Sequence, residues 1–406
     1  MPRIFRGWGF EERLTEAEWE VLGYQNTSNS NTTSLTSFYR QPATAGLVGG
    51  DTCCSIYASW AFGSPAYNHA YHVNYPLAEN QGSNADASGR LAVSVYPGSG
   101  TSGYTNQLLS IFPAGKEQGA ATTAWHSSTW PIAQILATPA GAEWSLTLYV
   151  GNAAKEVASV ALVRSAWTRV GLEFAVIGTS YYGRMIINGV AATDWYSATS
   201  SSFDVPESFE WFIEGINFTN SVDSNLGATY RTGFDDIIYV SDTITAINTG
   251  TQVVTRTAAE PINPCEEYFF AFLDTSGLGT PTGTWSGTKD DIDRGEFGDS
   301  STKVSTTDTS TGKPLHCEVE FADTTGTTPS SIAFVQVRAV ASADGTLDDN
   351  DIQLSDDSFS NSVTAGQDPL PSASTIMVVA TGTKPSDGSA WDTTAVDACE
   401  ARFRVT

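Results

Sequence analysis

The sequence predicts an all-β protein, in which one β-sandwich domain is followed by a smaller β-sandwich domain. Thr, Ser, Gly and aromatic residues are frequent, with 11 Trp, 15 Tyr and 19 Phe, and this composition favours pleated, half-buried surfaces and many turns. In addition, apolar and polar residues alternate with a period of two in many short segments bounded by Gly, Ser, Asn or Pro.

The clearest strands of the first domain lie after residue 90. Each has apolar residues at every second position, which places them on one face of a strand. These sets are Leu91, Val93 and Val95; Trp144, Leu146, Leu148 and Val150; and Val170, Leu172, Phe174 and Val176. Arg169 and Glu173 should point away from that core. Asn188-Gly189 lies between two β-prone runs and predicts a hairpin with a type I′ turn.

A chain of 406 residues is long enough for two domains. A Ser/Thr/Asn-rich stretch follows the predicted strand 234–240, so we assign residues 1–243 to the first domain, 244–252 to a linker and 253–406 to the second domain. The second domain repeats the alternation at 315–321, 333–339, 376–380 and 399–405.

Charge, apolar runs and cysteine spacing each narrow the partners and locations that we expect. The formal charge is -25. A strongly negative surface repels phosphates, so we expect no nucleic-acid partner. No apolar run is long enough for a signal peptide or a membrane span, so we expect neither export nor membrane insertion. Five cysteines without C-x-x-C spacing favour reduced thiols and assembly in a cytoplasm.

Several segments together resemble a known kind of domain. Their order is Ile4-Phe-Arg-Gly-Trp-Gly, Trp167-Thr-Arg-Val-Gly-Leu-Glu-Phe, Arg184-Met-Ile-Ile-Asn-Gly-Val and Phe234-Asp-Asp-Ile-Ile-Tyr-Val. In this order they resemble the laminin-G/concanavalin-like jelly rolls of tailed-bacteriophage structural proteins, over roughly residues 1–243. The second half, with its Gly283-Thr-Trp-Ser-Gly segment, is similar to the domain that often follows such a jelly roll.

This resemblance implies a structural component of a phage particle, either a tail appendage or a capsid decoration, assembled in the bacterial cytoplasm. Its partners would be other virion proteins, and a homo-oligomer is expected, a trimer by analogy with phage fibres. Two alternatives stay open: a receptor-binding lectin module that recognises host surface glycans, and a glycan depolymerase.

The best candidate for catalysis is the carboxylate pair Glu210 and Glu214, whose even separation places both on one strand face. The stretch lacks the Glu-x-Asp-x-x-Glu pattern of β-glucanases with this fold, because Phe212 stands at the Asp position. His69 and His72 form an i, i+3 pair without visible further ligands. We therefore expect a protein that is not an enzyme.

Binding candidates come from aromatic and acidic residues. Aromatic rings that could stack on sugars are Trp195, Tyr196, Trp211 and Trp285. No cofactor is expected, but calcium binding stays open at two groups of acidic residues. The first group is Asp235 and Asp236, and the second is Asp348, Asp349 and Asp351. Cys317 and Cys399 both fall on inward-facing positions and could form a disulfide if their strands are neighbours.

Overall fold

The fold is given by a computed structural model. The residues it describes are 5–8, 24–28, 38–42, 52–58, 69–73, 87–97, 105–113, 131–140, 143–151, 153–157, 162–163, 166–199, 206–216, 230–266, 275–278, 285–286, 305–306, 315–321, 331–341, 350–366 and 375–405. Strands account for 64% of these residues and helix for 3%, so the predicted all-β class is confirmed. No helix in the described ranges is long and apolar enough to cross a bilayer.

The chain forms two compact units. The larger comprises Gly7–Glu11 and Gly23–Phe270, and the smaller comprises Met1–Arg6, Glu12–Leu22 and Ala271–Thr406. The first nineteen strands in chain order are β1 (Phe5–Trp8), β2 (Tyr24–Ser28), β3 (Phe38–Pro42), β4 (Thr52–Ala58), β5 (His69–Val73), β6 (Ala87–Tyr96), β7 (Thr105–Pro113), β8 (Ala133–Ala140), β9 (Glu143–Val150), β10 (Ala153–Val157), β11 (Leu162–Val163), β12 (Thr168–Ile177), β13 (Ser180–Ile187), β14 (Val190–Ala191), β15 (Tyr196–Thr199), β16 (Pro206–Ile216), β17 (Tyr230–Asp242), β18 (Ile244–Asn248) and β19 (Val253–Arg256).

Two large antiparallel sheets build the larger unit. Sheet A has nine strands in the order β14-β13-β12-β6-β17-β4-β3, with β1 on β17 and β15 on β13. Sheet B has eight strands in the order β10-β9-β8-β7-β16-β5-β2, with β11 on β9. The chain crosses repeatedly between the sheets, from β6 to β7 and from β15 to β16 and back to β17. This two-sheet antiparallel arrangement is the predicted jelly-roll sandwich.

The core lies between the two sheets and is built by the predicted alternation. Along β9, Trp144 and every second residue to Val150 are buried, while the intervening residues are more exposed. The sheets approach closely at Gly183 of sheet A, where an added Cβ would lie 2.9 Å from the Cβ of Ala133 and 3.1 Å from Val150. Only a residue without a side chain fits at this point.

The predicted hairpin turn is also confirmed. Asn188 and Gly189 have φ angles of 46° and 80°, as a type I′ turn requires at both central positions. Strands β13 and β14 pair directly on either side of it, with Ile187 opposite Val190.

The outer face of sheet A is covered by the chain's own segment 244–266. Residues 244–252, expected to be a linker, instead belong to the β18–β19 hairpin. Ile244 packs with Ala175 and Trp195 on sheet A, and its amide donates to Ser88 Oγ at 3.0 Å. The covering segment therefore belongs to the larger unit, and the boundary between the units falls after residue 270 instead of at 243.

The smaller unit contains β20 (Thr275–Leu278), β21 (Trp285–Ser286), β22 (Ser305–Thr306), β23 (Leu315–Phe321), β24 (Val335–Ala341), β25 (Asn350–Ser355), β26 (Val363–Gly366), β27 (Thr375–Thr381), helix α1 (Thr393–Asp397) and β28 (Glu400–Val405). A five-stranded sheet, β20-β23-β28-β25-β26, accompanies the two-stranded sheets β24-β27 and β21-β22. Its core includes Ile352, Leu354, Met377, Val379 and Trp391.

Candidate functional site

Three adjacent rows of residues cross sheet B at right angles to its strands. The middle row, called the polar row below, consists of Tyr149, Gln134, Ser110, Glu210, His72 and Gln25, each opposite the next on six neighbouring strands. The flanking rows are Leu148, Ile135, Leu109, Trp211, Tyr71 and Asn26 on one side, and Val150, Ala133, Ile111, Phe209, Val73 and Tyr24 on the other. Because faces alternate along a strand, the flanking rows occupy core positions and the polar row occupies the outer face.

The polar row is not a simple water-facing surface. Ser110 is 0% exposed and Gln134 is 5% exposed, whereas an open sheet face would leave both accessible. Ser110 Oγ is buried without a hydrogen-bond partner among the described residues. Ser110, Gln134 and Tyr149 are not among the residues that the sequence pattern predicts as a site. The available signal was a lone polar residue inside an apolar strand, as in the run Leu108-Leu-Ser-Ile111.

The two catalytic candidates, Glu210 and Glu214, lie opposite the two histidines of strand β5. Glu210 is opposite His72, and Glu214 is opposite His69, on strands β16 and β5. The register shifts between Trp211 and Ile213, so β16 contains a bulge at this point. His69 and His72 are an odd number of residues apart, so the two glutamates occupy positions on opposite faces. The prediction that Glu210 and Glu214 share one face is therefore wrong, because one extra residue interrupts the alternation.

The aromatic candidates do not form one platform. Trp195 is 1% exposed, and the guanidinium of Arg184 lies 5.0 Å from its ring centre, so the prediction that this ring stacks on a sugar is wrong. Tyr196 follows it in sheet A and is half-buried. Trp211 lies in sheet B, opposite Tyr71, and Trp285 lies on β21 of the smaller unit. The side chains of Trp211 and Trp285 are outside the described part of the structure.

The acidic candidates for calcium have other roles where the structure describes them. Asp235 Oδ1 accepts a hydrogen bond of 2.8 Å from the amide of Asp236, which has a left-handed φ of 47°. Asp351 lies opposite Arg404, and its two carboxylate oxygens accept hydrogen bonds from Arg404 Nε at 2.9 and 3.2 Å. Asp348 and Asp349 lie outside the described residues. Within the described part of the chain, no three His, Cys, Asp or Glu side chains gather in a metal-binding arrangement.

A disulfide between Cys317 and Cys399, which the sequence left open for neighbouring strands, does not fit the register. Their strands are neighbours, but Cys317 lies opposite Phe403, four residues beyond Cys399. Four residues of strand span about 13 Å, well beyond the reach of a disulfide. Cys399 is a free, buried thiol.

Charged side chains cluster on the outer face of sheet A, beneath segment 244–266. Glu173 is fully buried and pairs with Arg90 at 2.9 Å, with Arg256 at 3.2 Å and with Arg184. Arg90 also pairs with Glu260. Burial alone would lower the pKa of Arg90, but Glu173 and Glu260 raise it overall. The hydrogen bond from Arg90 lowers the pKa of Glu260.

A cavity of about 530 Å³ opens beside this cluster and is lined by Arg90, Arg184, Glu260, Asn263 and Glu266 among others. Both arginines are already paired with carboxylates. Asp242 accepts a hydrogen bond from Arg256 Nε at 2.8 Å, so three arginines meet three carboxylates, and the cluster neutralises itself and fastens the covering segment to the sheet.

Comparison with known proteins shows the fold and nothing closer. No protein-family model matches the sequence, and no curated protein matches it. Solved structures with a similar fold include alginate lyase Aly36B in complex with alginate tetrasaccharide, at 9% identity and a TM-score of 0.36, covering 59% of this chain and 97% of that one. Lectin UEA-II complexed with galactose matches at 10% identity and a TM-score of 0.34, covering 58% and 98%. LamA from Z. galactanivorans, in complex with laminaritriose and laminaritetraose, matches at 10% identity and a TM-score of 0.36. The match covers 59% of this chain and 98% of that one.

These comparisons correct one expectation and leave another without support. The expectation that the chain is not an enzyme is wrong, because solved structures of similar fold include alginate lyases. No relationship to a phage or virion protein is shown. At about 10% identity the likeness concerns the fold alone, so function has to be argued from the polar row of sheet B.

Proposed function

We propose that the larger unit binds glycans at the polar row of sheet B. One observation carries the proposal: six polar residues lie in register across six strands, between two rows that occupy core positions. The chain itself buries Ser110 and Gln134, and Ser110 Oγ has no hydrogen-bond partner among the described residues, so a ligand that displaces this cover would supply the hydrogen bond that the buried hydroxyl lacks.

The chemistry and length of the row suit an oligosaccharide. Amide, hydroxyl, carboxylate and imidazole groups can all hydrogen-bond to sugar hydroxyls, and the amides and hydroxyls both donate and accept. Neighbouring strands are about 4.8 Å apart, so six strands span about 24 Å. Several sugar units lying across the strands would span that length.

The test is glycan binding measured by array and calorimetry on the full chain and on paired variants. Ser110→Ala removes a hydroxyl of the polar row, and Ser197→Ala removes an exposed hydroxyl on sheet A as the matched control. Loss of one hydrogen bond of about 1 kcal/mol should weaken binding about fivefold in Ser110→Ala and not in Ser197→Ala. Absence of binding to any glycan, or equal affinity in both variants, would refute the proposal.

A second candidate function is glycan cleavage, favoured by the register that places Glu210 opposite His72. A carboxylate beside an imidazole can hold and transfer a proton near neutral pH. Glu210 is the one carboxylate in the polar row, which favours proton transfer by a Glu–His pair over the paired-carboxylate mechanism of glycosidases. Product formation that survives both Glu210→Gln and His72→Gln would exclude this site, whereas loss of cleavage with retained binding would support it.

The location in a phage particle, the virion partners and a trimeric state are proposals that rest on the sequence resemblance alone. Mass spectrometry of purified particles tests the location, and light scattering on the purified chain tests the oligomeric state. A host-surface glycan as the ligand of the polar row is compatible with that location.

A further inference from the structure

The two sheets of the larger unit divide the charged residues unequally. The strands of sheet B contain five glutamates, one lysine and no arginine, namely Glu143, Glu156, Glu207, Glu210, Glu214 and Lys155. The strands of sheet A contain six arginines, Arg6, Arg40, Arg90, Arg169, Arg184 and Arg231, and four acidic residues, Glu173, Asp235, Asp236 and Asp242. Lys155 lies on the edge strand β10, so the other strands of sheet B contain neither Lys nor Arg.

The structure describes the side chains of three sheet A arginines, and each pairs or hydrogen-bonds with other residues of the larger unit. Arg90 and Arg184 pair with Glu173. Arg169 donates to the carbonyl of Pro264 at 2.9 Å and to Ser94 Oγ at 3.1 Å. Their neighbours along the strands fill the core, so these arginines lie on the face of sheet A that points away from sheet B. Packed sheets are about 10 Å apart, so these arginines, which already have internal partners, lie more than about 10 Å from a ligand on the outer face of sheet B and cannot contact it.

We propose that the polar row binds glycans without carboxylate or sulfate groups. This inference rests on the proposed glycan-binding function and names its ligand class. Proteins recognise carboxylate and sulfate groups chiefly with Arg and Lys, and the polar row contains neither. Its one ionisable acid, Glu210, and the net charge of -25 both repel a polyanion. The remaining amide, hydroxyl and imidazole groups match the hydroxyls of an uncharged sugar.

The experiment compares two sets of hexasaccharides of equal length by calorimetry on the full chain. One set is uncharged, with glucose hexamers of β-1,3 and β-1,4 linkage and a mannose hexamer, and the other contains hexamers of mannuronate and galacturonate. We expect the uronates to bind at least about tenfold more weakly than the best uncharged hexamer, which corresponds to about 1.4 kcal/mol. The gap should narrow as salt is raised, because salt screens repulsion.

The outcomes separate this inference from the proposed function. Uronate binding equal to or tighter than that of the uncharged hexamers overturns the ligand class and leaves glycan binding intact. Binding to neither set removes the proposed function and this inference with it.

A charge variant gives a second, independent readout. Thr147 is half-buried and lies two residues before Tyr149, so both occupy the outer face of β9. Thr147→Lys should strengthen uronate binding about threefold, as expected for one added surface charge, and the neutral control Thr147→Gln should not. Equal uronate affinity in both variants would contradict exclusion by charge.

Discussion

Replacing Glu173 by Gln removes the negative charge that three arginines share on the outer face of sheet A. The carboxylate is fully buried, lies 2.9 Å from Arg90 and 3.2 Å from Arg256, and also pairs with Arg184. The glutamine keeps the size of the side chain but leaves Arg90, whose side chain is 3% exposed, without its buried counter-charge.

The magnitude follows from how much water each arginine can regain. Breaking a buried ion pair by removing one partner costs about 3–5 kcal/mol. Arg184 and Arg256 are 22% and 13% exposed and can rehydrate in part, and Arg90 retains Glu260. We therefore expect a loss at the lower end, about 3 kcal/mol of unfolding free energy.

Urea unfolding followed by tryptophan fluorescence and circular dichroism measures this loss. With an m-value of about 3 kcal/mol/M, the midpoint should fall by about 1 M. Chains with more than one compact unit can unfold in several transitions, so each transition is fitted separately. Glu143→Gln, at an exposed carboxylate of β9, is the matched control and should change stability by less than about 0.5 kcal/mol. A Glu173→Gln effect as small as that of the control would refute the structural role of the cluster.

Three further predictions concern other parts of the chain. In Gly171→Ala the new Cβ would lie 1.9 Å from Cys265 Sγ, so we expect a loss of about 1–3 kcal/mol, largely restored when Cys265→Ala is added; no restoration would contradict the contact. The Ala395 amide and Lys384 lower the pKa of Asp392, so its stabilising contribution is complete above the unfolded pKa and is lost as the pH falls through the folded pKa. The urea midpoint of the smaller unit should therefore drop on acidification less steeply in Asp392→Asn than in the unchanged chain, and identical slopes would rule this out. Burial raises the pKa of the Cys265 and Cys399 thiols to about 12, so maleimide at neutral pH should label both only after unfolding, as peptide mapping can determine.

Features set by a few neighbouring residues were predictable from the sequence. The alternation along β9 and the turn at Asn188-Gly189 depend on local periodicity and on backbone preferences, and both are present as predicted. The stretch 244–252 was interpreted as a linker from its Thr and Asn content, yet Ile244 and Ile247 give it an apolar side that packs on sheet A.

Features that depend on strand order were not predictable. The polar row joins six strands that are far apart in the chain, and its existence requires the register of each pair. The bulge in β16 moves Glu214 to the opposite face from Glu210, and a single sequence offers no marker for it. Glu173 was correctly placed away from the core, but its burial results from a segment more than 70 residues later.

The covering segment also determines where this jelly roll could be cut free or transplanted. A chain shortened at residue 243 would lose Ile244 from its contact with Trp195 and Cys265 from its place against Ala92 and Ile186. It would also lose Arg256 and Glu260, which leaves three buried charges of sheet A, Glu173, Asp242 and Arg90, with fewer partners. Such a fragment would expose apolar surface and tend to aggregate, whereas a cut after Phe270 keeps the covering segment with its sheet. The exchangeable module is therefore longer than the sandwich itself.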